Sequence, residues 1–297
     1  MERTVSSDAG ASGGERLAAA FAAARAEGRA ALMPYMMAGF PDRDASLAIA
    51  RAYADGGADL VEVGVPFSDP LADGPVIHAA ATKALEAAAT DAPGAGSPAT
   101  GGPNTPGGGA LDSALAVVAE LGPGVPAVVM CYVNPILAEG PERFAGRIAE
   151  AGAGGVIIPD LPHGEAPAID AALRERGLAA VPLIAPTTTP ERLAEICTAA
   201  EGFIYLVATT GTTGERSEVS ETLAEQIEAI RAETDVPVAV GFGIGTAEQA
   251  GAVGTLADGV IIGSRLVRTV AEADSPAAAA AACAEFLANC RTALLRA

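Results

Sequence analysis

Eight times along the chain, a short and almost uninterrupted apolar run gives way to a loop and then to a segment of helical spacing. The runs fall at 31–37, 60–63, 127–132, 155–158, 178–184, 203–207, 236–240 and 259–262. Each is of strand length, and the apolar residues scarcely alternate with polar ones. Strands of that kind are buried on both faces and belong to parallel sheets covered by helices. The intervening segments predict helices near 46–54, 141–151, 165–176, 220–233 and 247–253, one opening at Pro190, and a terminal helix over 276–295. A further Ala-rich helix is expected at 15–27, ahead of the first strand. Eight strand–helix units predict an α/β fold, a single closed (β/α)₈ TIM barrel rather than an open doubly wound sheet.

One segment breaks the pattern, parting the two halves of the helical region that follows the second strand. Residues 91–110 are almost wholly Gly, Pro, Ser, Thr and Ala, with too little bulky apolar surface to offset the entropy of ordering. The expected organisation is a disordered leader over 1–13 and one barrel domain over 14–297, interrupted by a flexible insertion at 91–110. No apolar run reaches the ~18 residues of a membrane span. The N-terminus lacks the apolar core of a secretory signal, so a cytoplasmic location is expected.

Charge and residue counts exclude several kinds of chemistry. A net charge of −19 opposes nucleic-acid binding, which needs clustered Lys and Arg. Lys83, the single lysine, falls on a predicted helix, a poor place for a Schiff base. Cys131, Cys197, Cys283 and Cys290 lack paired metal spacing, and with two histidines in the chain no metal site is expected.

The second run carries an acid. Leu60-Val61-Glu62-Val63 places a carboxylate among apolar neighbours, which is costly unless the group is paired or put to use. The chain then breaks at Gly64 and Pro66 into a loop bearing Asp69 and Asp73. A carboxylate at a strand end and another on the adjoining loop can hold different protonation states and divide acid and base roles.

A second constellation follows the last three strands: Thr209 to Gly214, Gly241-Phe242-Gly243, and Gly263-Ser264. Glycines let backbone N–H groups approach an anion, a helix start adds positive potential, and Ser264 adds a hydroxyl donor. Phosphate sites recur at this place in such barrels.

From Glu62 to Pro75 the chain closely resembles the signature of the tryptophan synthase alpha subunit family, Glu-x-Gly-x-Pro-x-Ser-Asp-Pro-x-Ala-Asp-Gly-Pro. The resemblance extends to Met33-Pro34-Tyr35, Ala38-Gly39-Phe40-Pro41, Tyr132-Val133-Asn134-Pro135, Pro159-Asp160-Leu161-Pro162, Tyr205-Leu206-Val207 and the three glycine turns. It implies a carbon–carbon lyase that cleaves indole-3-glycerol phosphate by retro-aldol reaction to indole and glyceraldehyde 3-phosphate, in tryptophan biosynthesis. It also implies Glu62 as acid–base catalyst, Asp73 as the carboxylate that binds the indole N–H, and Tyr205 near the reacting centre. Gly214, Gly243, Gly263 and Ser264 match the family's phosphate positions, and Thr213 lies on the loop that closes over the site. The indole that the resemblance implies needs an apolar slot, and Tyr35, Ile77, Met130, Ile157, Ile184 and Phe242 stand at or near strand ends where such a slot would form.

No cofactor is implied for this chain; pyridoxal phosphate is expected in a partner beta subunit, within an α₂β₂ assembly docked at 66–69 and 132–135. A free-standing lyase and a non-catalytic activator of a beta subunit remain as alternatives. The chain departs from the pattern at Met37, His78, Ala208, Thr209, Thr212 and His163-Gly164, none of which is a proposed catalytic group.

Overall fold

The structure is a computed structural model that describes residues 10–91, 109–208, 216–241 and 243–295. Its elements run α1 (Gly13–Ala26), β1 (Ala31–Met37), α2 (Arg43–Asp55), β2 (Val61–Gly64), α3 (Pro75–Asp91), α4 (Ala110–Leu121), β3 (Ala127–Met130), α5 (Val133–Glu139) and α6 (Pro141–Ala151). They continue with β4 (Gly155–Ile157), α7 (Pro167–Glu175), β5 (Ala179–Ala180), β6 (Leu183–Ile184), α8 (Pro190–Ala199), β7 (Ile204–Val207) and α9 (Arg216–Glu233). The last are β8 (Val238–Gly241), α10 (Ala247–Gly254), β9 (Gly259–Ile262), α11 (Ser264–Glu272) and α12 (Pro276–Ala293).

Every strand pairing is parallel, in the order β5-β4-β3-β2-β1-β9-β8-β7-β6. The two ends of that order are halves of one apolar run, parted at Val181-Pro182 because proline has no N–H to give a ladder. The gap is still bridged on both sides. Val181 donates its N–H to the Val156 carbonyl at 2.9 Å, and the Pro182 carbonyl accepts from the Tyr205 N–H at 3.0 Å. The sheet therefore closes with eight staves, as the sequence pattern predicts.

Side chains alternate along each stave. Val61, Val63, Val129, Ile184, Ile204, Leu206, Val238 and Val240 join the outer core against the helices. Leu60, Met33, Val128, Ile157, Val181, Phe203, Ala239 and Ile261 fill the barrel interior. Leu17 and Phe21 of α1 belong to that inner cluster, and Phe21 packs on Phe203 with ring centroids 5.3 Å apart. Phe21 also crowds Gly259 and Leu17 crowds Gly154, so α1 seals the end where strands begin. The opposite end is left for a site.

Helix α1 begins at Gly13, earlier than the expected Glu15, because Ser12 and Glu15 form a reciprocal capping box. Helices α5 and α11 are additions to the predicted set. The predicted insertion separates α3 from α4, and its residues 92–108, like residues 1–9 of the predicted leader, lie outside the described residues. Among the described residues no helix is long and apolar enough to cross a membrane.

A buried ion pair ties the sealed end together. Arg29, only 2% exposed, holds the Asp59 carboxylate through Nη1 and Nη2 at 2.5 and 2.7 Å, and Asp59 also accepts the Leu32 N–H at 2.8 Å. Removing one partner strands the other charge. Arg29→Met is therefore expected to cost about 3 kcal/mol, read as an earlier midpoint in urea unfolding. A midpoint unchanged from wild type would mean that Arg291, 3.4 Å from Asp59, takes over the pairing.

Candidate active site

A cavity of about 550 Å³ opens at the C-terminal end of the barrel. Glu62 of β2 and Asp73 of the following loop both line it, along with Tyr35 of β1 and Tyr205 of β7. Its apolar wall includes Ile77, Met130, Ile157, Pro159, Leu183 and Ile261. Two and three staves round from Glu62, after β9 and β8, the lining is completed by Gly243, Gly245, Gly263, Ser264, Arg265 and Arg268.

Glu62 is 2% exposed, and its carboxyl forms no hydrogen bond with a described residue. Burial, reinforced by the charge of Asp73, pushes its carboxyl up to about 8. Asp73 is raised less, to about 6: burial lifts it, while a hydrogen bond from Tyr132 and the nearby His78 pull it back. At neutral pH the two acids thus hold different states, Glu62 protonated and Asp73 ionised. Tyr35 and Tyr205 are held well above the ordinary phenol range, first by burial and then by these carboxylates, so both stay neutral.

Two glycines make room for the phenols. A Cβ on Gly64 would lie 2.2 Å from the Tyr35 hydroxyl, and one on Gly241 2.5 Å from that of Tyr205. The loop bearing Asp73 is held by Tyr132, whose hydroxyl accepts the Ala72 N–H at 3.1 Å and bonds the Asp73 carboxylate. Its ring stacks on Phe67 at 5.2 Å. Tyr132 was legible only as part of a motif, not as the support of Asp73, because the two meet through the barrel and not through local sequence.

The part of the lining after β8 and β9 has the features of an anion cradle. Helix α11 starts at Ser264 with no side-chain cap, leaving its first N–H groups open toward the cavity. Gly243 has φ +32°, a backbone that glycine tolerates, and the N–H groups of Gly243 and Gly263 donate to no described residue. The N–H groups of Gly245 and Thr246 are instead taken by Gln249, at 2.8 and 3.2 Å, in the cap of α10.

Among the residues expected from the sequence, the cavity brings together Glu62, Asp73, Tyr205, Tyr35, Ile77, Met130, Ile157, Gly243, Gly263 and Ser264. Ile184 is not among the lining residues. It points outward into the helix-facing core, while Leu183 and Ala185, one step out of phase, face the cavity. Thr213, Gly214 and Phe242 lie outside the described residues. Lys83 is exposed on α3 and absent from the lining, and no group of three or more metal-ligating side chains occurs among the described residues.

A family model described as tryptophan synthase alpha chain matches residues 21–93 and 106–294. The chain belongs to the tryptophan synthase alpha chain family. The match is interrupted only across the middle of the predicted insertion. A tryptophan synthase alpha chain of Roseiflexus castenholzii is 44% identical over 272 residues, covering 92% of this chain and 97% of its own. One from Gluconacetobacter diazotrophicus is 43% identical, covering 86% of this chain and 87% of its own. Among solved structures, tryptophan synthase of Mycobacterium tuberculosis superposes with a TM-score of 0.79 at 37% identity, over 97% of this chain and 100% of that one. The family's barrel architecture thus agrees with the closed sheet found here.

Proposed function

We propose that Glu62 and Asp73 carry out the retro-aldol cleavage of indole-3-glycerol phosphate to indole and glyceraldehyde 3-phosphate, with this chain as the alpha subunit of tryptophan synthase. The observation that carries the reading is the pairing of a protonated and an ionised carboxyl in one cavity with an anion cradle. The protonated Glu62 delivers its proton to C3 of the indole. Asp73 accepts the indole N–H and stabilises the positive charge that develops on the ring. Glu62, now ionised, takes the proton of the glycerol hydroxyl. The C–C bond breaks, its electrons return to the indole ring, and the former hydroxyl oxygen becomes the aldehyde of glyceraldehyde 3-phosphate.

Tyr205 and Tyr35, kept neutral, flank the reacting centre as hydrogen-bonding groups and walls. Ile77, Met130, Ile157 and Leu183 supply the apolar slot for the indole ring. Gly243, Gly263 and Ser264 hold the phosphate by main-chain N–H groups and a hydroxyl, and Thr213 and Gly214 belong to the closing loop in this reading. The chemistry asks for no cofactor in this chain; pyridoxal phosphate belongs to the partner beta subunit, and the cytoplasm is the proposed location.

Leu71, 81% exposed on the Asp73 loop, and Leu137, 58% exposed on α5, give the proposed beta-docking face apolar contacts beside the catalytic loop. The test follows indole release from indole-3-glycerol phosphate by the purified chain, with and without a tryptophan synthase beta subunit. Release is expected in both cases, faster by roughly tenfold or more with the partner through coupling of docking to the loop. Full turnover without the partner would favour a free-standing lyase. No indole in either mixture would overturn the reaction.

A further inference from the structure

The cradle described above consists of main-chain donors, yet two arginines also line its side of the cavity. Their situations differ. Arg265 is committed to its own surroundings: Nη1 bonds the Thr269 hydroxyl at 2.8 Å, and the guanidinium lies over the Phe286 ring at 5.2 Å. Arg268 is exposed and forms no hydrogen bond or ion pair with any described residue, including Glu272 one turn further on.

With 37 acidic residues against 18 basic ones, Arg25, Arg29, Arg51, Arg143, Arg147, Arg192, Arg231 and Arg291 are found in ion pairs. Arg43, Arg174 and Arg176 form no ion pair among the described residues either, but of these unpaired arginines Arg268 alone lines the cavity. An arginine left without a carboxylate at the edge of a cavity is available to a ligand instead.

Helix geometry directs it. Arg268 stands four residues after Ser264, so both occupy one face of α11. Long side chains on a helix lean toward its N-terminus, which brings the guanidinium back over the Ser264 end, where the cavity lies. The open N–H groups of Gly243 and Gly263 sit at the same rim.

We infer that Arg268 is a specificity-determining residue, the side-chain cation that closes over the phosphate dianion of the substrate and draws it into an otherwise acidic protein. The inference rests on the reading of the cavity under Proposed function. The main-chain cradle fixes the position of the phosphate; Arg268 neutralises its second charge and discriminates phosphorylated from neutral ligands. Because the guanidinium is solvent-facing, its contribution is salt-sensitive and lies in capture more than in chemistry.

The test uses the intact chain with its beta subunit, as wild type and as two variants, Arg268→Gln and Arg268→Lys. Calorimetry measures binding of glycerol 3-phosphate and, separately, of indole; steady-state kinetics measures indole release. Arg268→Gln is expected to weaken glycerol 3-phosphate binding and raise KM by about 5- to 10-fold, with kcat within about twofold of wild type. Indole binding should be unchanged, the dependence of KM on ionic strength should flatten, and Arg268→Lys should recover most of the loss, since a point charge also serves a phosphate.

Equal affinity of Arg268→Gln and wild type for glycerol 3-phosphate would overturn the inference. So would a matching loss of indole binding, which would mark a structural role. If wild type binds glycerol 3-phosphate but releases no indole, the reaction falls while the arginine's role is still decided by calorimetry.

Discussion

Glu62→Gln is expected to abolish indole release, by about three orders of magnitude, and at the same time to make the protein more stable. The two effects share one cause. The carboxyl sits 2% exposed at the strand end without a hydrogen bond from a described residue, and burial is the main reason it titrates near 8. In the unfolded chain it would ionise near 4.5, its ordinary value. The folded state therefore binds this proton more tightly than the unfolded state does. The stability it confers is fully present below pH 4.5 and is lost progressively as pH rises toward and through about 8.

At pH 7 the gap between unfolded ionisation and folded protonation is worth about 3 kcal/mol. A neutral amide of the same shape escapes most of that penalty, so the melting temperature should rise by roughly 5–9 °C. The gain should shrink as the pH is lowered and disappear below the ordinary carboxylate range. Thermal melts across pH, run beside indole assays, decide both halves. A variant that keeps a tenth of the wild-type rate cannot have lost its acid–base catalyst. One that melts earlier at neutral pH would show that the carboxyl is stabilising where it stands.

Much of the barrel, and the meeting of Glu62 with the Asp73 loop, could be read before any coordinates, and the reasons are largely local. Eight apolar runs set out the staves, and Glu62 fixed the phase of its own: a carboxylate in an apolar run must face the one place where it can be used. Tyr205 was expected near the reacting centre only through the family resemblance, and the structure puts it on the cavity lining. Nothing polar marks the run at 178–184, where the chain offers Leu, Ala, Val, Pro and Ile without contrast. Ile184 was accordingly expected at the slot, and the structure turns Leu183 inward instead. A two-residue period with no polar landmark leaves two equal registers.

Other features depend on contacts between distant segments. Gly64 reads in sequence as a strand breaker, whereas in the fold it still belongs to β2 and its missing Cβ admits the Tyr35 phenol. The support of Asp73 by Tyr132 joins the loop after β2 to the segment after β3, a proximity created by strand pairing. Helix α11 brings Arg268 to the cavity, but the segment after Gly263 was not assigned as helix, so that arginine had no predicted direction.

The pair of acids also predicts the pH dependence of catalysis. In the proposed mechanism activity needs Asp73 ionised and Glu62 protonated in the free enzyme, so kcat/KM should describe a bell. Its acid limb should lie near pH 6, where Asp73 titrates, and its basic limb near pH 8, where Glu62 does. Neither Tyr35 nor Tyr205 enters, because both phenols are held well above that window. The variants separate the limbs. Asp73→Asn should lower the rate about 10²-fold and erase the acid limb. It should also move the basic limb to lower pH, because the negative charge that helps Glu62 keep its proton is gone. Tyr132→Phe removes a hydrogen bond that favours the ionised Asp73, so its acid limb should shift upward while the basic limb stays. If Asp73→Asn keeps both limbs where wild type has them, the division of labour between the two carboxyls is wrong, because the ionised partner would then have no part in either titration.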